Sequence, residues 1–180
     1  ARLKFLVKAW GAEKFREVLE NEYLGWTLPD GPAPQLPKPG DRGDHVGIHE
    51  QKDGRYYVGV APIAGRISGE KLARIADIAE AAGSDRIRLT PIQKILILDV
   101  PEDQVSDVVN GLRALELEST PGEFQRNVMA CTGIEYCKLA IVETKATARE
   151  VVQKLDEVFP TIDTPITVHV NGCPNSCARI

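Results

Sequence analysis

Cys131, Cys137, Cys173 and Cys177 are the four cysteines of this chain, and all of them fall in its last third. The first two are separated by five residues, the last two by three, and thirty-five residues lie between the pairs. Three chemistries could use such a set. Two disulfides would suit an oxidising compartment and a chain short of core, but the rest of the sequence looks like an ordinary core that needs no staples. Structural zinc sites use pairs spaced by two to four residues, so the first pair is too wide. An iron–sulfur cluster is commonly held by four cysteine thiolates, and it is the reading that spacing and composition favour. Pro174 directly follows Cys173, where a loop leaves a thiolate ligand and enters a turn. Disulfides and zinc stay open as alternatives.

Fewer other residues could do chemistry. His45, His49 and His169 are the only histidines. His169 shares a strand face with Thr167, opposite Ile166, Val168 and Val170, and reads as a polar, partly exposed position rather than a ligand; His45 and His49 read as surface residues. Arg86 and Arg88 alternate with Ile87 and Leu89, so two guanidiniums fall on one strand face and suggest an anion lying across a sheet. Trp10, Phe15 and Trp26 read as core or interdomain packing.

The elements that must position these groups can be read from periodicity. Residues 12–24 place Phe15, Val18, Leu19 and Tyr23 at helical spacing, with a short helix before them. Five prolines in the eleven residues 29–39 neither pair in a sheet nor continue a helix, which makes this stretch an extended connector. Asp53-Gly54 predicts a hairpin between two β-rich runs. Ser68 opens a helix whose apolar stripe is Leu72, Ile75, Ala76, Ala79 and Ala82 and which Gly83 ends. Residues 86–90 and the run KILILDV read as strands, and Pro101-Glu102 starts a helix with Val105, Val108, Val109, Leu112 and Leu115 in register. The order β-α-β-β-α is most of a ferredoxin-like split βαβ unit. After residue 121 come the first cysteine pair, a helix over 147–159 with Val151, Val152, Leu155, Val158 and Phe159 on its stripe, and a strand over 166–170 that delivers the chain into NGCPNSC. The fold class expected is α+β: a ferredoxin-like half-domain followed by part of a mixed α/β domain. The boundaries expected are 1–28 for a helical segment, which the family resemblance makes the helical end of a preceding half, 29–45 for the linker, 46–120 for the ferredoxin-like domain and 121–180 for the cysteine-bearing domain.

Composition narrows the partners. The 180 residues are 43% apolar and carry a net charge of −4, which excludes a disordered tail and offers no basic footprint for nucleic acid. No apolar run approaches the roughly 20 residues that span a bilayer, and the first residues lack a signal peptide's long apolar stretch and cleavage site, so no membrane partner and a cytoplasmic setting are expected. No Gly-rich motif opens a βα unit, leaving nicotinamide or flavin binding without support.

RNVMACTGIEYCKLA, followed at this distance by VNGCPNSCARI, resembles the sirohaem and four-iron four-sulfur signature of the nitrite and sulfite reductase family. GVAPIAGRISG and DRIRLTPIQKILILDVP resemble that family's second ferredoxin-like half, and the proline linker sits where the family joins its two pseudo-repeats. The resemblance implies a sirohaem and a 4Fe-4S cluster, with all four cysteines holding the cluster and Cys177 also axial to the sirohaem iron. It implies an assimilatory six-electron reduction, of sulfite to sulfide or of nitrite to ammonia, with reduced ferredoxin as donor. The linker and GVAPIAGR segments look most like bacterial ferredoxin-dependent sulfite reductases. Sirohaem carries many carboxylates, for which Arg66, Arg88, Thr90, Gln93, Lys94, Asn127, Asn175 and Arg179 are the candidate partners.

The sequence also departs from the family pattern. LTPIQ has apolar Ile92 where the family's first repeat carries a catalytic arginine, so no catalytic role is assigned in this chain. The basic residues that orient and protonate the anion are expected from a preceding half. On this reading the chain is the cluster-carrying middle of a larger enzyme, monomeric when complete and not competent alone. The alternatives are a small iron–sulfur electron carrier complete in itself, which the long gap between the cysteine pairs disfavours, and a structural zinc module.

Overall fold

The computed structural model describes residues 3–33, 43–162 and 164–178, so the linker's residues 34–42 and the candidate Arg179 lie outside the described residues. The chain divides into two compact units, residues 1–39 and 40–180.

In the first unit, helices α1 (Leu3–Trp10) and α2 (Ala12–Val18) are followed by a π-helical turn, Leu19–Leu24, which closes on Gly25 in a left-handed conformation. The single helix expected over 12–24 therefore widens half-way. Glu20 explains part of this, because its carboxylate accepts from Arg16 Nε at 2.7 Å and from the Leu28 amide at 2.9 Å, tying the turn to the chain that leaves it. Trp10 and Trp26, expected in packing, are exposed.

The second unit is built on a four-stranded antiparallel sheet in the order β1-β2-β4-β3, formed by β1 (Gly47–Glu50), β2 (Tyr56–Val60), β3 (Ile87–Leu89) and β4 (Ile95–Val100). The hairpin at Asp53-Gly54 forms as expected, with Gly54 at positive φ. Helix α3 (Gly69–Ala81) starts where Ser68 Oγ accepts from the Lys71 amide at 3.1 Å, and α4 (Val105–Ala114) follows a short 3-10 turn after Pro101. Ile75 and Ala79 of α3 and Val108 and Leu112 of α4 pack on Val58, Val60, Ile95, Ile97 and Val100 of the central strands. Leu72, expected on the buried stripe of α3, is instead exposed, as is Leu89 on the edge strand.

The cysteine-bearing part adds a short helix α5 (Glu123–Asn127), strand β5 (Val128–Ala130), helix α6 (Lys145–Val158) and strand β6 (Val168–Val170). Strands β5 and β6 pair in parallel, with Val128 opposite Val168 and Ala130 opposite Val170. Their small core is Phe124, Val128, Ala130, Ala148 and Val152, joined by Ala64 from the preceding domain. Val158 and Phe159, expected on the buried stripe, lie at the exposed end of α6.

Candidate functional site

A parallel strand pair sends both chains out at the same edge, and here that edge carries the cysteines. Strand β5 ends one residue before Cys131, and β6 continues through Asn171-Gly172 into Cys173. The Cys131 amide extends the ladder by donating to Val170 O at 3.0 Å, and the Gly172 amide donates to Cys131 Sγ at 3.2 Å. The two loops are tied again where the Ile141 amide donates to Gly172 O at 3.0 Å. Cys137 sits on a turn whose amide returns to Gly133 O at 3.0 Å. In the second loop, the Ser176 amide donates to Cys173 O, Ser176 is at positive φ, and Cys177 is exposed.

Two residues that sequence reasoning did not single out, Thr144 and Asn171, and one that it read as a polar strand position, His169, shape these loops. Thr144 is fully buried and its hydroxyl donates to Cys131 O at 2.6 Å. Asn171 Oδ1 accepts from the Ala178 amide at 2.8 Å, and His169 Nδ1 bonds Ala178 O, so β6 grips the chain just beyond Cys177. His169 thus has a fixed hydrogen-bonding role on its half-buried strand. The sequence signal for this was available: a polar residue on either side of Val170, leading straight into a cysteine loop.

Electrostatics favour a thiolate at Cys131. Burial pushes this thiol up, but the amides of Gly172 and Gly133, the Thr144 hydroxyl and the nearby Lys145 ammonium outweigh it, leaving it below the ordinary thiol range. Lys145, itself held down by burial, donates to Ala64 O and to Ala130 O at 2.8 Å.

The candidate anion-binding residues occupy three settings. Arg66 is half-exposed and paired with Glu135 at 2.7 Å, on the rim of a cleft of about 720 Å³ that Lys71, Lys145 and Arg149 also line. Arg88 is exposed at the middle of β3, and Asn175 is exposed in the second cysteine loop. Thr90, Gln93, Lys94 and Asn127 are partly or wholly buried. Thr90 Oγ1 accepts from the Lys94 amide at 3.0 Å, and Asn127 Nδ2 donates to Glu123 O at 2.8 Å. Gln93 Nε2 donates to Ala130 O at 2.7 Å while its Oε1 accepts from the Ala130 amide at 3.2 Å, so one side-chain amide pairs with the last peptide of β5. Gly65 is what lets this happen, since it has positive φ and a Cβ there would stand 2.5 Å from Gln93 Cβ. Lys94 is 2% exposed and its Nζ has no hydrogen-bond partner.

The pair of guanidiniums expected on one strand face is not available as a pair. Arg86 is bonded to Asp99, and that contact, with a further bond from Gln51, holds the Asp99 carboxyl down at about 2. Asp99 is at positive φ, which brings its carboxylate round to Arg86.

These groups fit the cofactors that the sequence motifs imply, in their chemistry. Four free thiols lie in two hydrogen-bonded loops, and amide donors draw one of them, Cys131, below the ordinary thiol range. Among the described residues no three His, Cys, Asp or Glu side chains converge closely enough to hold a metal ion. Ligand spheres of this kind are generally completed by what they bind.

Residues 49–115 match the family described as the nitrite/sulfite reductase ferredoxin-like half domain. This part of the chain is similar to that family. The whole chain is 56% identical to sulfite reductase [ferredoxin] 1 of Mycolicibacterium paratuberculosis, of which it covers 33%. It is 38% identical, over 99% of its length, to an assimilatory ferredoxin-dependent nitrite reductase of Haloferax mediterranei, covering 32% of that protein. Among solved structures, the NirA protein of Mycobacterium tuberculosis superposes with a TM-score of 0.89 at 55% identity, over 100% of this chain and 33% of NirA. The chain therefore spans about a third of the length of the relatives it matches. The α+β architecture with a ferredoxin-like half domain is that of the family. Among the described residues no helix is long and apolar enough to cross a membrane.

Proposed function

We propose that this chain is the cluster- and sirohaem-binding part of an assimilatory, ferredoxin-dependent six-electron reductase that converts sulfite to sulfide. The observation that carries the reading is the order of likeness: relatives named sulfite reductase stand at 56% identity, one named nitrite reductase at 38%. Reduction of nitrite to ammonia is the second reading, because the matched family covers both reactions.

On this proposal Cys131, Cys137, Cys173 and Cys177 would hold a 4Fe-4S cluster, and Cys177, the exposed one, would also serve the sirohaem iron. The bound pair would supply single-electron transfer to a small anion, with the shared thiolate coupling the two centres. The chain's own residues prepare the place. The Gly172 amide favours the thiolate form of Cys131 and fixes one loop against the other. Arg66, Arg88 and Asn175 are exposed to meet carboxylates, and Arg179 is a further candidate by its position in the motif. Thr90 and Gln93 act through the turn they build, and Asn127 through the entry to β5.

The ferredoxin-like domain of this proposal is 46–120 and the cofactor domain 121–180. No catalytic residue is assigned within the chain, and the cations that act on the anion are expected in parts of the enzyme outside the matched third. Reduced ferredoxin, sulfite or nitrite, a monomeric state and a cytoplasmic location complete the reading. It is tested on the full-length protein purified without oxygen. Sirohaem absorption bands with about five iron atoms per polypeptide are expected, and kcat/KM with reduced ferredoxin is expected to favour sulfite over nitrite. Absence of both sirohaem and iron overturns the proposal, and zinc in their place favours the structural module.

A further inference from the structure

Lys145 opens α6, fourteen residues after Cys131 in sequence, yet its ammonium lies against the peptide that joins Ala130 to Cys131. Nζ donates to Ala130 O at 2.8 Å and also to Ala64 O, on the turn at 63–65. Ala64 is buried and at positive φ, a conformation that a residue with a Cβ keeps only where its surroundings hold it there. The two carbonyls take up donors of the amine and leave its positive charge in place. A half-buried ammonium carries a desolvation cost that a neutral side chain of similar length would avoid.

Other sources of positive potential at this edge are already answered. The first amides of α6, those of Lys145, Ala146 and Thr147, donate to the Glu143 carboxylate at 2.7, 2.7 and 3.1 Å, so the positive end of the helix meets a full negative charge. Arg66, which lines the same cleft, is paired with Glu135. Lys145 remains. Of the charged groups that act on it, Cys131 comes first, ahead of Arg66 and Glu143. Thr144, the residue before it, donates to Cys131 O at 2.6 Å, so the start of α6 is fixed to the very ligand that its cation faces.

We infer that Lys145 sets the reduction potential of the cluster held at Cys131, its fixed positive charge favouring the reduced form. The inference rests on the cofactor reading above and adds to it a residue that is not a ligand. Taking up one electron makes a cluster with four thiolate ligands more negative by one charge, and a neighbouring cation stabilises that state more than the oxidised one. At a half-buried position, salt and water screen this attraction less than they would on an open surface.

The test uses the full-length enzyme purified without oxygen, with the cluster's midpoint potential read by redox titration of its electron paramagnetic resonance signal and iron content measured alongside. Lys145→Gln and Lys145→Met are each expected to shift the ratio of reduced to oxidised cluster roughly tenfold toward the oxidised form, which for one electron is a fall in midpoint of about 59 mV. Lys145→Arg keeps the charge and is expected to keep the wild-type midpoint. Gln93→Ala loosens the same Ala130 carbonyl without removing a charge, and its midpoint is expected to stay closer to wild type than that of Lys145→Met. Wild-type midpoints in both neutral variants overturn the inference. An equal fall in Lys145→Arg or in Gln93→Ala overturns it too, because the hold on Ala130 would then be responsible and not the charge. Loss of iron from both neutral variants also overturns it, making Lys145 part of the scaffold. A wild-type enzyme with no cluster signal overturns the cofactor reading itself, and the inference with it.

Discussion

Residues 46–120 bury Val58, Val60, Ile75, Ile97, Val100, Val108 and Leu112 in one continuous core between a four-stranded sheet and two helices. Residues 121–178 bury a smaller set around two three-residue strands, and leave Ile134, Tyr136, Leu139 and Ile141 exposed along the first cysteine loop. The second region makes up part of the difference with polar side chains that cross from one region to the other. Gln93 grips Ala130, Lys145 reaches Ala64 O, Arg126 reaches Asp44 and Val46 O, and Gln125 Nε2 donates to Ala61 O at 3.1 Å. Apolar burial is tolerant of small displacements, whereas a hydrogen bond fixes one atom against another. A region that must present four thiols has more use for the second kind of hold, and the lesson is that its geometry is set partly by its neighbour.

The comparison breaks most completely at the ligands. Cys177→Ser in the full-length enzyme is expected to abolish both the cluster and its coupling to the haem, with the ferredoxin-like core still folded. Iron content, the absorption spectrum and far-ultraviolet circular dichroism read the three parts separately, and normal activity in this variant would sink the assignment. Next in size is Gly133→Val. Gly133 has positive φ, and a Cβ there would stand 2.6 Å from Thr144 Oγ1, so the variant strains the backbone and pushes away the hydroxyl that holds Cys131. A loss of about 2–4 kcal/mol is expected in chemical denaturation. The equivalent change at Gly54, in an open hairpin turn with nothing within 4 Å, costs less because only the backbone term applies.

Gln93→Ala sharpens the same contrast at about 1–3 kcal/mol, since it removes the side-chain acceptor of the buried Ala130 amide and leaves the Ala130 carbonyl with Lys145 Nζ as its remaining side-chain donor. Hydrogen exchange should rise at β5 and at the Cys131 loop while β2 and β4 keep their protection. Equal loss of protection in both regions would mean that they open as one.

How much of this was readable in advance follows from the same division. The hairpin at Asp53-Gly54, the Ser68 cap and the buried run from Ile95 to Val100 depend on local pattern, and they form where the pattern puts them. Strand β5 was not foreseen, because Val128-Met129-Ala130 is too short to show a period and is made a strand by its pairing with β6. Arg86 was misread for the opposite reason. Alternation put it on the face of a strand, but the strand starts one residue later, at Ile87, and its partner Asp99 is thirteen residues away and has a positive φ that sequence does not announce. The cysteines stood out by type and spacing, whereas the residues that hold them, Thr144, Asn171 and Gly172, are ordinary until the two loops meet.

A smaller effect concerns pH. The Lys94 amine is held at about 8 in the fold against an ordinary value of 10.5, so between these values the unfolded chain binds more protons than the folded one. Stability of the cofactor-free protein is therefore expected to gain from this group as pH rises from about 8 to 10.5, and to lose that gain as pH falls back through 8. Lys94→Met should remove this component of the slope, and an unchanged slope would mean that the amine titrates as it does in water.

The smallest change in stability is expected at Arg66, and that is what makes it informative. Its pair with Glu135 is exposed, so solvent and salt screen it, and Arg66→Ala should move the thermal midpoint by no more than the error of the measurement. Glu135 would lose the partner that holds its carboxyl below the usual range, and because that group is exposed it would simply return toward its ordinary value. Any loss of sirohaem retention in this variant would then come from the cofactor and not from the scaffold. Gln93→Ala should show the reverse ratio, with stability moving first and retention following. If both variants lose stability and cofactor in the same proportion, the distinction between residues that meet the ligand and residues that hold the loops does not apply at this edge of the sheet.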